Sequence, residues 1–335
     1  MTTFDTRHVE ALMGPHGLYE HALFTHPRPE HGYCTDDNAR LLVLASREEG
    51  SELCDRLGRQ ALEFVIAAQA LDGRFRNRLD PDGRWIDTPS TEDCWGRAVW
   101  GLGTAARYHS DPSVRALAAT HFARSALWRA ESPRSMAFAA LGSAEVMALP
   151  GPSTVARLQL LRTLDRIGPT ISDEWFWPEP RLQYANATLA EAVIAAGYAL
   201  GSREDLDRGL GMLAWLLERE TRSGRLSVAP VGGLGPDDPM PGFDQQPIEV
   251  SAIAEACARA LRVTGDTSWS AGIAAALAWF DGENDSGHVM FDHRSGGCFD
   301  GLRADGVNAN EGAESTLALA ATHQIAAQLR VTARR

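Results

Sequence analysis

Six alanine-rich segments with helical spacing of their apolar residues constrain the fold of this chain more than any other feature. Each segment begins at a polar or proline-containing start, and successive starts lie 56, 41, 53, 61 and 64 residues apart. The starts are Asp36, Glu92, Pro133, Asn186, Pro247 and Glu311. Each spacing accommodates one pair of antiparallel helices, and a period of such pairs is typical of repeats that share one core. The sequence therefore predicts six helical hairpins.

The individual helices are predicted from residue type and periodicity. Ala, Leu and Arg, which favour helices, fill them, and Leu57, Ala61, Phe64, Val65 and Ala68 recur along one face of the second. We expect helices at about 38–48, 52–70, 93–107, 112–130, 134–147, 152–167, 187–200, 203–220, 248–263, 267–280 and 312–329, with a twelfth at 4–13. The helices between the six starts carry more Arg and Glu, which predicts an outer layer.

Long connections precede most of the predicted inner helices, whereas the connections that leave them are short. The long connections are 71–91, 168–185, 221–246 and 281–310, and they hold the few strand signals, such as a hairpin over 74–85. All of them meet at the N-terminal ends of the inner helices. We therefore predict an all-α fold, a single toroid domain over 1–335 with short β-hairpins in the loops at one mouth, where function is expected.

Composition and charge exclude several classes of protein. With 32 basic and 44 acidic residues the net charge is −12, which argues against a nucleic-acid partner. We expect no membrane partner either, because no run reaches the roughly 18 apolar residues of a membrane span and no signal peptide is visible. Five cysteines without a CxxC pair favour reduced thiols and a cytoplasmic location. Without HExxH, GxGxxG or a P-loop, we expect neither a metal nor a cofactor.

Two similar acidic segments are the main candidates for chemistry. TDDNAR (35–40) and TEDCWGR (91–97) each combine threonine, two acids and a following arginine. On neighbouring inner helices they would bring paired carboxyls to one rim, where repulsion and burial separate the pKa values as acid–base chemistry requires. We predict Asp37 and Asp93 as the catalytic pair, with Glu249 in the segment FDQQPIE as the alternative general acid. Helix capping is the alternative interpretation of such acids.

Other residues at the same predicted rim are candidates for binding a substrate. The acids Asp36, Glu92 and Glu311 are expected to bind hydroxyl groups or to tune pKa values, and Arg40 and Arg97 to orient carboxylates. The amides expected to bind hydroxyls are Asn186, Gln246 and Asn310. The aromatics expected to stack on the ligand are Tyr33, Trp95, Trp175 and Trp177, with packing into the core as their alternative. The histidines expected to face the mouth are His31 and His293.

Six hairpins with polar inner-helix starts and an acidic, aromatic mouth resemble the six-hairpin glycosidase superfamily, the (α/α)6 barrels, over most of the chain. Segment 17–22 (GLYEHA), followed by 31–40 (HGYCTDDNAR), is similar to uncharacterised bacterial helical-toroid proteins that are often associated with glycosyltransferases. The resemblance implies glycan metabolism, inverting hydrolysis by two carboxyl groups, and a partner glycosyltransferase encoded nearby.

Three hypotheses of function follow. The first is a glycoside hydrolase acting on an oligosaccharide or a glycan terminus, in which one carboxyl protonates the leaving oxygen and a second activates water. The second is a sugar epimerase or isomerase on the same barrel, which would use His31 or His293 as a base. The third is a non-catalytic carbohydrate-binding partner of a glycosyltransferase, which the acid-rich mouth disfavours.

Overall fold

The computed structural model describes residues 2–332, which form twelve α-helices and eight short strands. The helices are α1 (Arg7–Leu12), α2 (Thr35–Ser46), α3 (Glu52–Ala68), α4 (Asp93–Tyr108), α5 (Pro112–Ser125), α6 (Pro133–Met147), α7 (Thr154–Ile167), α8 (Asn186–Leu200), α9 (Arg203–Arg219), α10 (Pro247–Thr264), α11 (Ser270–Phe280) and α12 (Ala313–Thr332). Their number and order are those expected from the sequence. No helix among these residues is long and apolar enough to cross a membrane.

The helices form a closed double ring. The inner helices α2, α4, α6, α8, α10 and α12 pack side by side in chain order, and α12 returns to pack against α2. Each of the outer helices α3, α5, α7, α9 and α11 packs against the inner helix before it, and α1 covers α12. This arrangement confirms the predicted all-α (α/α)6 barrel.

Inner and outer helices begin differently. Four outer helices begin with a side-chain cap, from Ser51, Asp111, Ser153 and Ser202. Among the inner helices, α4, α8 and α10 begin without one. The uncapped N–H groups at these inner ends are available to other partners, and their dipoles favour negative charge at this end of the ring.

Glycines bring two inner helices into backbone contact. A Cβ atom on Gly103 of α4 would lie 2.2 Å from the carbonyl oxygen of Gly142, and one on Gly142 of α6 would lie 2.2 Å from that of Val99. Such distances exclude any side chain, so α4 and α6 pack more tightly than larger residues would allow. This contact fixes the spacing of the inner helices next to the acidic segments.

Four two-stranded antiparallel pairs decorate the loops between outer and inner helices. They are β1 (Ala22–Leu23) with β2 (His26–Pro27), β3 (Tyr33–Cys34) with β4 (Arg78–Leu79), β5 (Thr221–Arg222) with β6 (Arg225–Leu226), and β7 (Gly301–Arg303) with β8 (Gly306–Asn308). The hairpin expected over 74–85 is present in short form: Leu79 bridges Trp85, and backbone hydrogen bonds join Asp80 to Arg84 and Ile86 to Arg78. The other edge of β4 pairs with β3. The β3–β4 pair thus joins the segment before α2 to the loop between α3 and α4 at the mouth.

Buried ion pairs join the inner helices at the opposite end of the ring. Glu145 accepts hydrogen bonds from Arg107 at 2.5 Å and Arg259 at 3.0 Å. Arg259 also donates to Glu191 at 3.1 Å, and Arg47 to Glu255 at 2.8 Å. Burial opposes ionisation of Glu145, but Arg259, Arg47 and Arg107 outweigh it and lower its pKa to about 2. We refer to these residues as the rear ion network: Arg47, Arg107, Glu145, Glu191, Glu255 and Arg259.

Candidate active site

A polar cavity of about 450 Å³ opens at the N-terminal ends of the inner helices, the end predicted to carry function. Seven carboxyl side chains line this mouth cavity: Glu20, Asp36, Asp37, Asp93, Asp244, Asp300 and Glu314. The basic side chains that line it are Arg40, Arg97 and His21, and Tyr184, Gln246, Asn308 and Ser315 complete most of its polar wall. Among the residues expected from the sequence, Asp36, Asp37, Arg40, Asp93, Arg97 and Gln246 meet here.

Asp36 and Asp37, in the first turn of α2, are held by arginines. Arg40 donates hydrogen bonds to both Asp37 and Glu314, and Arg97 Nε lies 3.4 Å from Asp36. Burial raises the pKa of Asp36 and of Asp37, while Arg97 and Arg40 partly offset the effect. Neither aspartate caps its helix, since the N-cap is Cys34. The two carboxyls therefore face the cavity in matched charge pairs.

Asp93, the first residue of α4, makes its hydrogen bonds with hydroxyl groups. Ser135 Oγ donates to it at 2.7 Å, and the Tyr184 hydroxyl donates to its other oxygen. Burial, and then the proximity of Asp93, raises the pKa of Tyr184, so the phenol remains a donor. Because no cation among residues 2–332 forms an ion pair with Asp93, its carboxylate keeps lone pairs available for a water molecule or a sugar hydroxyl.

Asp300, just before β7, has a different environment on the same cavity. Its Oδ1 accepts the Gly312 N–H at 2.8 Å. Burial raises its pKa to about 6 despite this hydrogen bond, and the charges of Glu314 and Asp37 act in the same direction. Asp300 therefore keeps its proton up to about pH 6, well above the range of an ordinary aspartate.

Glu249 does not line the mouth cavity. It is 3% exposed, and its two oxygens accept the backbone N–H groups of Ala185 and Asn186 and the Asn186 side chain at the start of α8. Burial raises its pKa to about 7 against these hydrogen bonds. The prediction of Glu249 as general acid therefore needs correction: its carboxyl acts as the missing cap of α8.

The four aromatic residues expected to stack on a ligand are packed in the interior. Tyr33 stacks on Tyr19, with ring centroids 4.6 Å apart, and Trp95 donates its indole N–H to the Ser125 carbonyl at 3.0 Å. Trp175 and Trp177 both pack against Trp215 of α9. All four predicted residues are buried and absent from the cavity wall, so the packing interpretation is correct for them. An outer helix supplies the apolar partner that a loop sequence alone does not reveal.

The amide and acid predictions for the last inner helix and α8 are also corrected. Asn186 is buried between Glu249 and Arg134. Asn310 accepts the backbone N–H of Phe24 at 3.0 Å. Glu311 is buried and accepts the Ser295 hydroxyl at 2.6 Å. These side chains organise the loops beneath the rim and do not line the cavity.

The remaining three predicted residues also lie away from the cavity wall. Glu92 is exposed at the N-cap position of α4 and makes no capping hydrogen bond with its side chain. His31 is exposed and packs its ring edge-on against His21, with centroids 5.2 Å apart. His293 lies against Phe291 in a separate depression. His21, the ring neighbour of His31, lines the cavity instead.

Sequence reasoning did not select several residues that line the cavity. Asp244 and Asp300 lie in long loops, whereas the predictions gave most weight to helix starts. Glu314 lies in the first turn of α12, three residues after Glu311. Tyr184 lies two residues before the start of α8. Asp300 and Glu314 lie just before and just after the β7–β8 hairpin, and a hairpin at this position would have predicted that they lie at the same rim.

One group of potential metal ligands occurs among residues 2–332. An atom from each of Glu20, Cys34 and Asp37 lies within 4.8 Å of the others. Cys34 donates its thiol to Asp37 at 3.1 Å, and burial raises the pKa of this thiol well above its usual range. The thiol is therefore a hydrogen-bond donor that helps to hold the Asp37 carboxyl at the cavity.

Solved structures share this fold along nearly the whole chain. A sugar epimerase from a ruminal bacterium is similar with a TM-score of 0.70 and 14% identity, covering 97% of each chain. Cellobiose 2-epimerase from Bacillus thermoamylovorans has a TM-score of 0.72 and 11% identity over 97% of this chain and 96% of that one. An inactive α-1,6-mannanase variant from Salegentibacter sp., in complex with α-1,6-mannotriose, has a TM-score of 0.63 and 10% identity over 96% of both chains.

The fold is therefore an (α/α)6 barrel, the architecture that these sugar epimerases and this mannanase share. No protein-family model matches the chain, and no curated protein matches it. At 10–14% identity these structures establish the architecture. The chemistry has to be argued from the mouth cavity itself.

Proposed function

We propose that the protein is a glycoside hydrolase that acts on an oligosaccharide or a glycan terminus. The observation that carries the proposal is the pair of Asp93 and Asp300, two carboxyls in unlike environments on one polar cavity. Asp300 has a pKa of about 6 and holds a proton below that pH, whereas Asp93 accepts hydrogen bonds from two hydroxyl groups. Acid and base roles are assigned in glycosidases by such a difference in environment.

In the proposed reaction Asp300 is the general acid. Its proton passes to the glycosidic oxygen as the bond from that oxygen to the anomeric carbon breaks, and the bonding electrons stay on the departing oxygen. Asp93, as the general base, takes a proton from a water molecule whose oxygen bonds to the anomeric carbon. The products are a free reducing sugar and an alcohol, and with water on the opposite face the anomeric configuration inverts.

Asp37 acts through Asp300 in this scheme. The negative charges of Asp37 and Glu314 raise the pKa of Asp300, and Arg40, which contacts both, sets the size of that effect. Gln246 and Asn308 offer amide groups to sugar hydroxyls at the cavity wall. The mannanase variant is inactive with two consecutive aspartates changed to asparagine, and the consecutive pair of Asp36 and Asp37 supports carboxyl chemistry here.

A time course of anomeric proton NMR tests the proposal. The parent protein is incubated with mannose-, glucose-, galactose- and arabinose-containing di- and trisaccharides and with the free sugars. New reducing-end signals are expected, and the first anomer to appear reports inversion or retention. Asp93→Asn and Asp300→Asn should abolish the signals, while Asp165→Asn, an exposed change on the outer helix α7, should not. Hydrolysis that persists unchanged in both mouth variants contradicts the assignment.

The pH profile tests the role of Asp300 separately. Because its pKa is about 6, the protonated acid is depleted above that pH. We expect kcat/KM to fall about tenfold per pH unit on the alkaline side. Asp37→Asn removes a charge that raises this pKa, so it should move the alkaline limb to lower pH. An unmoved limb would exclude Asp37 as a tuning residue.

A sugar epimerase is the second candidate, and His21 is the observation that favours it. His21 is the histidine on the cavity wall, and burial, with a smaller contribution from His31, lowers its pKa, so the imidazole is neutral at pH 7 and can act as a base. Both epimerases above share the fold. Deuterium incorporation into a free sugar without cleavage, lost in His21→Gln, would establish this activity in place of hydrolysis.

The predicted glycosyltransferase partner belongs to this proposal as well. If the NMR panel shows neither cleavage nor exchange, a carbohydrate-binding role becomes the favoured reading of the cavity. Co-purification with a glycosyltransferase encoded nearby, followed by loss of the complex or of glycan binding in Asp93→Asn, would then identify the protein as its binding partner.

A further inference from the structure

The turn between β1 and β2 holds an aromatic side chain in an unfavourable backbone conformation. Leu23 pairs with His26, so Phe24 and Thr25 form a two-residue loop. Phe24 has a φ of 51°, in the left-handed region that glycine and asparagine adopt most easily. Its side chain is nevertheless 59% exposed, and Leu23 beside it is 53% exposed. Burial of the ring therefore does not explain why a phenylalanine occupies this position.

Two hydrogen bonds hold the turn in place. The Phe24 N–H donates to the Asn310 side chain, and the Phe24 carbonyl accepts the Glu311 N–H, both at 3.0 Å. The segment on each side of this contact reaches the mouth cavity, through Glu20 and His21 on one side and Asn308 and Gly312 on the other. The turn thus lies on the rim, next to the cavity, with its apolar ring in solvent.

A second hairpin of the same length shows the usual solution. The β5–β6 pair is also closed by two residues, Ser223 with a φ of 50° and Gly224 with a φ of 81°. Small residues satisfy that geometry there, and neither of them lines the mouth cavity. Strain at an exposed side chain that packing does not compensate is characteristic of functional positions. The difference between the two turns points to a ligand for Phe24.

We infer that Phe24 forms an outer sugar subsite, in which its ring packs against the apolar face of the sugar unit next to the one held in the cavity. This inference rests on the proposed function for the identity of the ligand. A flat, rigid ring offers apolar contact area at little cost in conformational entropy. A patch of two side chains is too small for a stable protein interface, and it is continuous with the cavity. The ligand is therefore an oligosaccharide of more than one unit.

Glycan binding as a function of chain length tests the subsite. The probes are cello-oligosaccharides and α-1,6-manno-oligosaccharides of two to five units. Binding is measured by saturation-transfer NMR and calorimetry. The parent protein in this comparison carries Asp300→Asn, and the double variant carries Asp300→Asn and Phe24→Asn. We expect Phe24→Asn to weaken binding of the three-unit and longer probes at least fivefold and to change the shortest bound probe less than twofold. Phe24→Tyr, which retains the ring, should restore the affinity.

Thermal unfolding supplies the second readout. Asparagine suits a left-handed φ better than phenylalanine, so Phe24→Asn should keep or raise Tm, as Ser223→Asn should in the control turn. A loss of long-probe affinity with an unchanged or higher Tm supports the subsite. Equal binding of every length by Phe24→Asn and its parent overturns it.

The two proposals fail in different ways. Length-dependent binding that requires Phe24, without any turnover of these probes by the parent protein, would retain the subsite and overturn the hydrolase. Turnover that does not change when Phe24 is replaced, at any probe length, would retain the hydrolase and overturn the subsite. No binding of any probe by the Asp300→Asn protein would overturn the outer subsite as stated.

Discussion

The two ends of the barrel use the same residue types for different purposes. In the rear ion network each of Glu145, Glu191 and Glu255 contacts an arginine within 3.1 Å. In the mouth cavity five of the seven carboxyls also contact an arginine, whereas Asp93 and Asp300 form no ion pair with any residue of 2–332. The pKa of Glu145 is lowered to about 2, whereas that of Asp300 is raised to about 6. Ion pairs join the helices at the rear, whereas at the mouth Asp93 and Asp300 have hydrogen bonds to neutral donors.

Helix direction explains part of this difference. All six inner helices point their N-termini to the mouth and their C-termini to the rear. The partial positive charge of an N-terminus favours carboxylates, and the partial negative charge of a C-terminus favours arginines. Helix direction therefore favours an excess of acids at the mouth, whereas the rear ion network balances three glutamates with three arginines.

The largest expected effect is on turnover, from Asp300→Asn. The variant keeps the shape of the side chain but cannot supply its proton, so kcat should fall about 10²–10⁴-fold. Its Tm should stay the same or rise, since a half-buried carboxyl with a raised pKa is removed. Steady-state kinetics and a thermal melt measured together check both. A large fall in Tm with normal turnover would place Asp300 among the structural acids.

The next effect is on stability, from Glu145→Gln in the rear ion network. The change leaves Arg259 and Arg107 without the charge they both contact, and breaking a buried pair in this way costs about 3–5 kcal/mol. Urea unfolding at pH 7 measures the loss, and kcat of the folded protein should be unaffected. If Glu145→Gln instead removed activity without loss of stability, the distinction between the two ends would be wrong.

A smaller effect concerns the pH dependence of stability. Burial, and then the proximity of Glu249, raises the pKa of Glu220 to about 8. A carboxyl with a raised pKa binds its proton more tightly in the folded state, so its contribution is present at low pH and lost as pH rises from about 4.5 towards 8. We expect Glu220 alone to lower the free energy of unfolding in this window by at most about 1.4 kcal/mol per pH unit.

Glu220→Gln isolates that contribution. The variant should show a flatter decline between pH 5 and 8 than the parent, measured by urea unfolding at each pH. A slope identical to the parent's would mean that Glu220 is ionised throughout. Asp300 and Glu249 titrate in the same direction, so the decline should be reduced and not abolished.

The smallest effect is expected from Asp165→Asn on the outer surface. Asp165 contacts Arg129 at 2.9 Å, but both side chains are largely exposed. Exposed pairs contribute about 0.2–1 kcal/mol, so unfolding and turnover should be nearly unchanged. A loss comparable to that of Glu145→Gln would show that burial does not set the strength of these ion pairs.

Periodicity in the sequence was sufficient to predict the ring and the part of the site that depends on it. Asp36, Asp37 and Asp93 lie at inner-helix starts, and any chain with this repeat brings such starts to one mouth. Trp175 and Trp177 could not be assigned in the same way, because Trp215 on another helix decides whether they face solvent. Asp244 and Asp300 depend on loop conformations that carry no period. Glu249 was misassigned because its partner, the bare start of α8, is distant in sequence.

Ring closure has a consequence for how activity arises during synthesis. Asp37 comes from the first inner helix, whereas Glu314 comes from the last, and Arg40 contacts both. A nascent chain therefore lacks one wall of the mouth until α12 has left the ribosome and packed against α2. Before that moment the apolar flanks of α2 and α10 have no neighbour on one side, and exposed apolar surface of this kind favours aggregation. The mouth cavity is therefore complete only when the last inner helix has joined the first.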